Sequence, residues 1–333
     1  MRNLRYTRKK GGEYLGQGSK GTVYNFGCVS KGDSFCSKIK NEQDNIESIN
    51  LYTPNGIVKL VSQRDINDFI QYSDTIKDRV AKIMKPHGKH KRGIDYELLT
   101  NIRLSKMFGS KLDKYTNIGL CKFREWKFVG CVIEYIRLYT PVYVSFSSKC
   151  EKADSMNLDK LIVDIAEALQ YMDKIGLDHS DIKPENIMLC DTTYKLIDWG
   201  NASTREEKII GGLMTGILKE YVLSKNSNAN KAEERFLAKI ARNYPDLARS
   251  YIFRVNLHRM KNEFNSISHQ GPEALEEHYR ASHDLFSFGL SIMYFVVQGG
   301  LPYEKYRPII EMLTSYLMVP TATGAYRLAK RLQ

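Results

Sequence analysis

The apolar positions change period about half-way along the chain. In the first part they come in short runs bounded by glycine or charge. Residues 14–30 (YLGQGSKGTVYNFGCVS) predict a strand, a glycine turn and a second strand, with Val23, Tyr24 and Phe26 supplying β propensity. Residues 31–78 follow no clear period, with room for a strand at 56–61 (GIVKLV) and a short helix at 65–72. RVAKIM (79–84) is a compact apolar strand interrupted by one lysine, and a basic loop, KPHGKHKRG (85–93), follows it. Residues 94–108 place Ile94, Leu98, Ile102 and Leu104 at helical spacing, and FVGCVIEYI (128–136) reads as one central buried strand.

The second part is helical in period. Residues 157–174 (NLDKLIVDIAEALQYMDK) form an amphipathic helix that Gly176 ends. A long polar region then holds one helical island, NKAEERFLAKIARNY (230–244), and helices are expected around 284–297 and 307–318. Strands first and helices later predict an α+β chain with a small β-rich lobe and a larger helical lobe. The boundaries drawn from the pattern are a basic tail at 1–13, a first lobe at 14–136 with an insertion at about 31–78, and a second lobe at 137–333.

Composition adjusts this picture little. At 333 residues, with 42% hydrophobic and 26% charged residues, the chain can bury a substantial core in two lobes. A net charge of +12 favours contact with something anionic, a nucleotide phosphate included, although a basic average also serves solubility alone. The N-terminal MRNLRYTRKKGGEYLG lacks the apolar stretch of a secretory signal, and the apolar window 286–297 is too short to span a bilayer. The six cysteines show no CxxC pairing, which predicts free thiols, a reducing, cytoplasmic compartment and no zinc site. His87 and His90 in the basic loop read as solvated, since their spacing alone makes no metal site.

Four elements carrying chemistry occur in a fixed order. The first is Gly16-x-Gly18-x-x-Gly21-x-Val23, where glycines let a hairpin approach phosphates and offer backbone N–H groups. A dinucleotide fold would need a helix directly afterwards, and Thr22-Val23-Tyr24 continues as strand. The others are His179-Ser180-Asp181-x-Lys183-x-x-x-Asn186, then Asp198-Trp199-Gly200, and Gly271-Pro272-Glu273 followed by Asp284. Together they resemble the signatures of the eukaryotic-type protein kinases, from about residue 14 to 303 and most strongly at 176–200.

The resemblance implies a bilobal protein-kinase-like fold and an ATP- and Mg²⁺-dependent serine/threonine kinase acting on protein hydroxyls. Carried over by residue, Asp181 would orient the substrate hydroxyl and take its proton, and Lys183 would offset charge on the transferred phosphoryl group. Asn186 and Asp198 would hold Mg²⁺. Gly16, Gly18, Gly21 and Val23 would cover the ATP phosphates. For the ATP lysine, Lys38 stands at the family's usual distance from Gly16, while Lys82 demands a large insertion. Lys82 is favoured because a helix follows it with Glu97, 15 residues on, placed to pair with it. Ile133 would set the depth of the adenine pocket, with the backbone of Glu134 and Ile136 contacting adenine.

Two substitutions depart from the family pattern. Ser180 replaces an arginine that in many relatives pairs with a phosphate on the activation segment, which implies an enzyme ordered without that phosphate. Trp199 replaces a phenylalanine, keeping the apolar bulk but adding an indole N–H that needs a partner. The span from Asp198 to Glu273 is 75 residues, far longer than the family's activation segment, and carries Lys231, Arg235, Lys239, Arg242, Arg249, Arg254, Arg259 and Lys261. This inserted segment 198–273 could occlude the site, organise substrate or bind an anionic partner. Compaction with unusual insertions is similar to the divergent kinases of large DNA viruses, which would put the chain in host cytoplasm or virion. Two rival readings are a pseudokinase, binding nucleotide as a scaffold, and a small-molecule phosphotransferase.

Overall fold

The computed structural model describes residues 14–17, 21–26, 43–53, 56–73, 79–84, 92–118, 120–123, 126–129, 132–137, 141–148, 150–204, 207, 214, 216–223 and 229–333. The chain divides into two units, Met1–Lys149 and Cys150–Gln333.

In the first unit the glycine-rich stretch folds as the alternation predicts. Strands β1 (Tyr14–Gln17) and β2 (Gly21–Phe26) pair antiparallel, with Gln17 opposite Thr22. The expected insertion supplies β3 (Ile46–Thr53), β4 (Gly56–Leu60) and helix α1 (Gln63–Ser73). The pattern had room for β4 and α1, but β3 went unread, because ESINLYT mixes polar residues into both faces. Helix α1 buries Ile66, Phe69 and Ile70, one stripe at helical spacing. Next come β5 (Arg79–Met84) and α2 (Arg92–Phe108), whose buried stripe is Thr100, Asn101, Leu104, Ser105 and Phe108. The short helix α3 (Leu112–Tyr115) leads to β6 (Leu120–Phe123), β7 (Trp126–Val129), β8 (Val132–Arg137) and β9 (Pro141–Ser148).

Seven of these strands form one antiparallel sheet in the order β1-β2-β5-β9-β8-β3-β4, while β6 and β7 make a separate hairpin. Two expectations are corrected here. The apolar run 128–136 is not one strand: Phe128 and Val129 belong to β7, and Ile133 to Ile136 lie in β8. The first unit also does not end at 136. Strand β9 pairs with both β5 and β8, so the sheet continues to Ser148 and the division falls after Lys149.

The second unit opens with β10 (Glu151–Lys152) and α4 (Leu158–Lys174), whose N-terminus is capped by Asn157 accepting from the Lys160 N–H. Helix α4 buries Leu161, Ile162, Ile165, Ala166, Leu169 and Met172, each large side chain contributing about 1.5–3 kcal/mol. Gly176, at φ +68°, ends it as predicted, since this conformation strains any residue with a Cβ. Strands β11 (Leu177–Asp178), β12 (Ile187–Cys190), β13 (Thr193–Leu196) and β14 (Ser203–Thr204) frame the loops that follow.

The polar region holds more than the one expected island. It contains α5 (Gly216–Leu223), α6 (Ala229–Asn243), α7 (Pro245–Arg249) and α8 (Tyr251–Ile267). Helix α9 (Pro272–Gln298) runs 27 residues, and α10 (Tyr303–Leu313) and α11 (Ala322–Lys330) close the chain. Cys150 and Cys190 form a disulfide, which overturns the expectation of six free thiols. The two cysteines lie 40 residues apart, and strand pairing of β10 with β12 brings them together. No helix among the described residues is long and apolar enough to cross a membrane.

Candidate active site

The stretch 177–200 is suspended from one buried carboxylate. Asp284, in the middle of α9, accepts the main-chain N–H of His179 at 2.5 Å and of Ser180 at 2.9 Å, one on each oxygen. Turning two successive N–H groups to one acceptor forces Ser180 to φ +64°, a conformation that costs a non-glycine residue about 1 kcal/mol or more. Burial raises the Asp284 pKa above its ordinary value, opposed by His179 and by the two N–H groups.

His179 is wholly buried and lies edge-on to Trp199, ring centroids 4.5 Å apart. Its Nε2 is 3.0 Å from the Ile197 carbonyl. A carbonyl can only accept, so the proton sits on Nε2, leaving Nδ1 without a partner among the described residues. Burial lowers the pKa, so the ring is neutral. The imidazole thus ties the loop at 179–186 to the residue before Asp198. The indole of Trp199 finds its expected partner in the Leu196 carbonyl, at 2.9 Å.

Asp181 is 8% exposed and held by two side chains on the same oxygen. Lys183 Nζ is 2.7 Å from Oδ2, and Asn186 Nδ2 is 3.3 Å from Oδ2 while donating to the Asp181 carbonyl at 2.8 Å. Only nitrogen can donate to that carbonyl, which fixes the Asn186 amide and leaves its Oδ1 as a hard oxygen donor. The second Asp181 oxygen accepts nothing among the described residues. Asp198 is exposed at φ +60°, ψ +59°, opening the turn Trp199–Asn201.

Beneath this loop the position of the family's arginine is filled by hydroxyls and an imidazole. Ser180 Oγ lies 3.3 Å from Ser203 Oγ and 3.5 Å from His283 Nε2. His283 directs Nδ1 to the Arg280 carbonyl at 3.1 Å, and burial lowers its pKa. Asp178, His283 and Asp284 bring possible ligand atoms within 4.8 Å of one another. Both Asp284 oxygens already serve main-chain donors, so the cluster acts as a hydrogen-bonded support.

Other predicted site residues fall elsewhere. Val23 stands opposite Lys82 across β2 and β5, and Gly16 and Gly21 lie in β1 and β2. Gly18, Lys38, His87, His90 and the tail 1–13 lie outside the described residues, as do the side chains of Lys82 and Glu97. Glu134 and Ile136 sit inside β8 with partners on both sides, opposite Asn50 and Tyr143 and opposite Ser48 and Pro141. Their main-chain groups are therefore engaged within the sheet. The Glu134 carboxylate accepts from Asn50 at 3.0 Å and Tyr52 at 2.6 Å. Gly271–Glu273 begins α9, where Glu273 is exposed and makes no ion pair among the described residues.

Sequence reasoning missed Lys219 and Tyr244. Lys219, on α5, is 5% exposed, and burial with Lys239 nearby lowers its pKa to about 8 against the pull of Glu220 and Asp181. A Lys-Glu pair within the otherwise largely apolar GILKEYVL was the available signal. Tyr244 had none, since its partner is Glu185, 59 residues away.

Residues 123–225, which span the whole of this loop system, match the protein kinase domain model. Over that stretch the chain is similar to the protein kinase domain. Asp181, Lys183, Asn186 and Asp198 all lie within the matched stretch. Among curated relatives, the serine/threonine-protein kinase KSP1 of Saccharomyces cerevisiae is 31% identical over 131 residues, covering 35% of this chain and 12% of its own length. The serine/threonine-protein kinase PknG of Mycobacterium leprae is 39% identical over 72 residues, covering 22% of this chain and 9% of its own. The chain therefore spans only about a tenth of the length of these relatives. A crystal structure of a kinase domain aligns with 96% of this chain and 92% of its own at 14% identity, with a TM-score of 0.39, an overlay too loose to argue from. The α+β division into a sheet unit and a helical unit agrees with the kinase fold class that the motifs implied.

Proposed function

We propose that this chain is a serine/threonine protein kinase using ATP and Mg²⁺. The observation that carries the reading is Asp181: one oxygen is pinned by Lys183 and Asn186, and the other accepts nothing among the described residues. A carboxylate fixed in this way can align a substrate hydroxyl through the open oxygen and take its proton. Lys183 holds that oxygen at 2.7 Å and adds positive charge where negative charge develops.

The donor set fits magnesium. Asn186 Oδ1 is turned out by the two bonds its nitrogen makes, and Asp198 adds an exposed carboxylate, both hard oxygens of the kind Mg²⁺ takes. Bound Mg²⁺ and ATP would supply the phosphoryl group and offset its charge. Gly16, Gly18, Gly21, Val23, Lys82 and Glu97 are proposed to hold the nucleotide. We assign no adenine contact to Glu134 or Ile136, whose main chains are occupied within the sheet.

Retention of Asp181, Lys183 and Asn186 in one bonded loop, with Asp198 also present, disfavours the scaffold reading. The acceptor is proposed to be a protein serine or threonine, following Lys183. Arg235, Arg242, Arg249 and Arg254 stay exposed on the inserted helices and would carry any anionic contact. Lys239, Arg259 and Lys261 are instead paired with Glu220, Glu263 and Glu233. A cytoplasmic setting is proposed only as what the kinase reading implies, with the Cys150–Cys190 bridge as its counter-argument.

The deciding experiment incubates purified protein with labelled ATP, Mg²⁺ and a generic protein substrate, beside Asp198→Ala. Transfer by the wild type and none by the variant is expected. Equal background in both removes the enzyme reading.

A further inference from the structure

The inserted segment gives one buried hydroxyl to the catalytic loop. Tyr244, between α6 and α7, is 3% exposed and donates to Glu185 Oε2 at 2.8 Å. Glu185 itself is exposed, so an internal phenol restrains a solvated carboxylate. The phenol is fixed before it reaches that partner. Its ring meets Tyr294 of α9 edge-on, centroids 5.4 Å apart, and its N–H bonds to the Ile240 carbonyl at 2.7 Å. Burial and the Glu185 charge push its ionisation upward, so the hydroxyl stays a donor.

Glu185 is the middle residue of the single turn Pro184–Asn186. The next residue is Asn186, whose amide N–H bonds to the Lys183 carbonyl at 2.9 Å and whose side chain holds Asp181. Restraining Glu185 therefore restrains the turn that aims Asn186, and through it Asp181.

The segment that delivers Tyr244 is seated independently. The buried Tyr316 hydroxyl accepts from the Ile217 N–H at 2.8 Å, capping α5. Lys239 pairs with Glu220 to join α6 to α5, and Lys261 pairs with Glu233 at 2.7 Å to join α8 to α6.

We propose that Tyr244 is a positioning residue of the catalytic loop, and that the helices after Trp199 are a permanent part of the catalytic machinery. Order that a phosphate would otherwise impose is supplied by a tyrosine–carboxylate bond. The kinetic consequence rests on the kinase reading, while the structural consequence rests on geometry alone.

The test uses the full chain with Tyr244→Phe, Glu185→Ala and both together. Amide exchange across residues 181–187 is expected to accelerate about tenfold in each single variant and no further in the double, with α4 and α9 unchanged. In the kinetic arm kcat falls about tenfold in each variant, while KM for ATP stays within about twofold. Glu185→Ala, at an exposed position, keeps the test usable should Tyr244→Phe fold poorly. Unchanged exchange at 181–187 overturns the proposal. Acceleration spread through α9 with a lowered unfolding midpoint also overturns it, because Tyr244 would then be a structural prop. A wild type that transfers no phosphoryl group overturns the kinase reading instead, and the exchange arm still judges Tyr244.

Discussion

Asp284 carries more of the site than its distance in sequence suggests. Two buried main-chain N–H groups, His179 and Ser180, have it as their acceptor, and the left-handed Ser180 is the geometric consequence. Asp284→Ala should therefore leave two donors unsatisfied and cost about 3–5 kcal/mol in urea unfolding. A loss below about 1 kcal/mol would mean that the loop finds other acceptors. The proposed site residues Asp181, Lys183, Asn186 and Asp198 could be named because they lie within one short stretch that resembles the kinase signatures. Their supports could not be named: His283, Lys219 and Tyr244 meet the loop only through tertiary folding. The departure at Ser180 was visible, but not that Ser203 and His283 would surround it.

At the scale of elements, α5 shows how tightly the inserted segment is seated. Gly216 precedes its first bonded N–H at φ +72°, and a Cβ there would come within 2.5 Å of the Phe286 ring. Gly216→Ala should destabilise the chain by about 3 kcal/mol or more, from strain and overpacking together, read as a shifted denaturation midpoint. Tyr316→Phe removes only the α5 cap and should cost about 1–3 kcal/mol by the same measurement. The Cys150–Cys190 bridge makes a further expectation: reduction of the unfolded protein should raise its thiol count by at least two. An unchanged count would show that pair to be free. Element types were readable where the period was strong, as in α4 and α6. They failed where strand residues are polar on both faces, as in β3, and where the apolar run 128–136 is shared between β7 and β8, which pair with different partners.

For the whole molecule, the buried imidazoles set the response to acid. Burial lowers the pKa of His179, His278 and His283 below the ordinary value of 6.5. The unfolded chain then binds more protons below that value, so stability falls as pH drops through about 6.5. Asp284 has the opposite sign. Its raised folded pKa lets the native state hold an extra proton above 3.8, which partly offsets the loss at lower pH. The thermal midpoint should therefore fall between about pH 7.5 and 5.5, and His283→Gln should flatten part of that slope. A midpoint constant over this interval in the wild type would show that these rings titrate as in the unfolded chain.

The sequence by itself determined which side chains are candidates for the site and the division into a sheet-forming and a helix-forming half. Both depend on residue type at short spacing, which local chain geometry converts directly into structure. Only the tertiary structure decided where the first unit ends, since that depends on β9 pairing with β5 and β8 across long stretches of chain. Folding likewise set the seating of the segment after Trp199. Its contacts run from Tyr244 to Glu185 and from Tyr316 to Ile217, pairs 59 and 99 residues apart that no periodicity encodes.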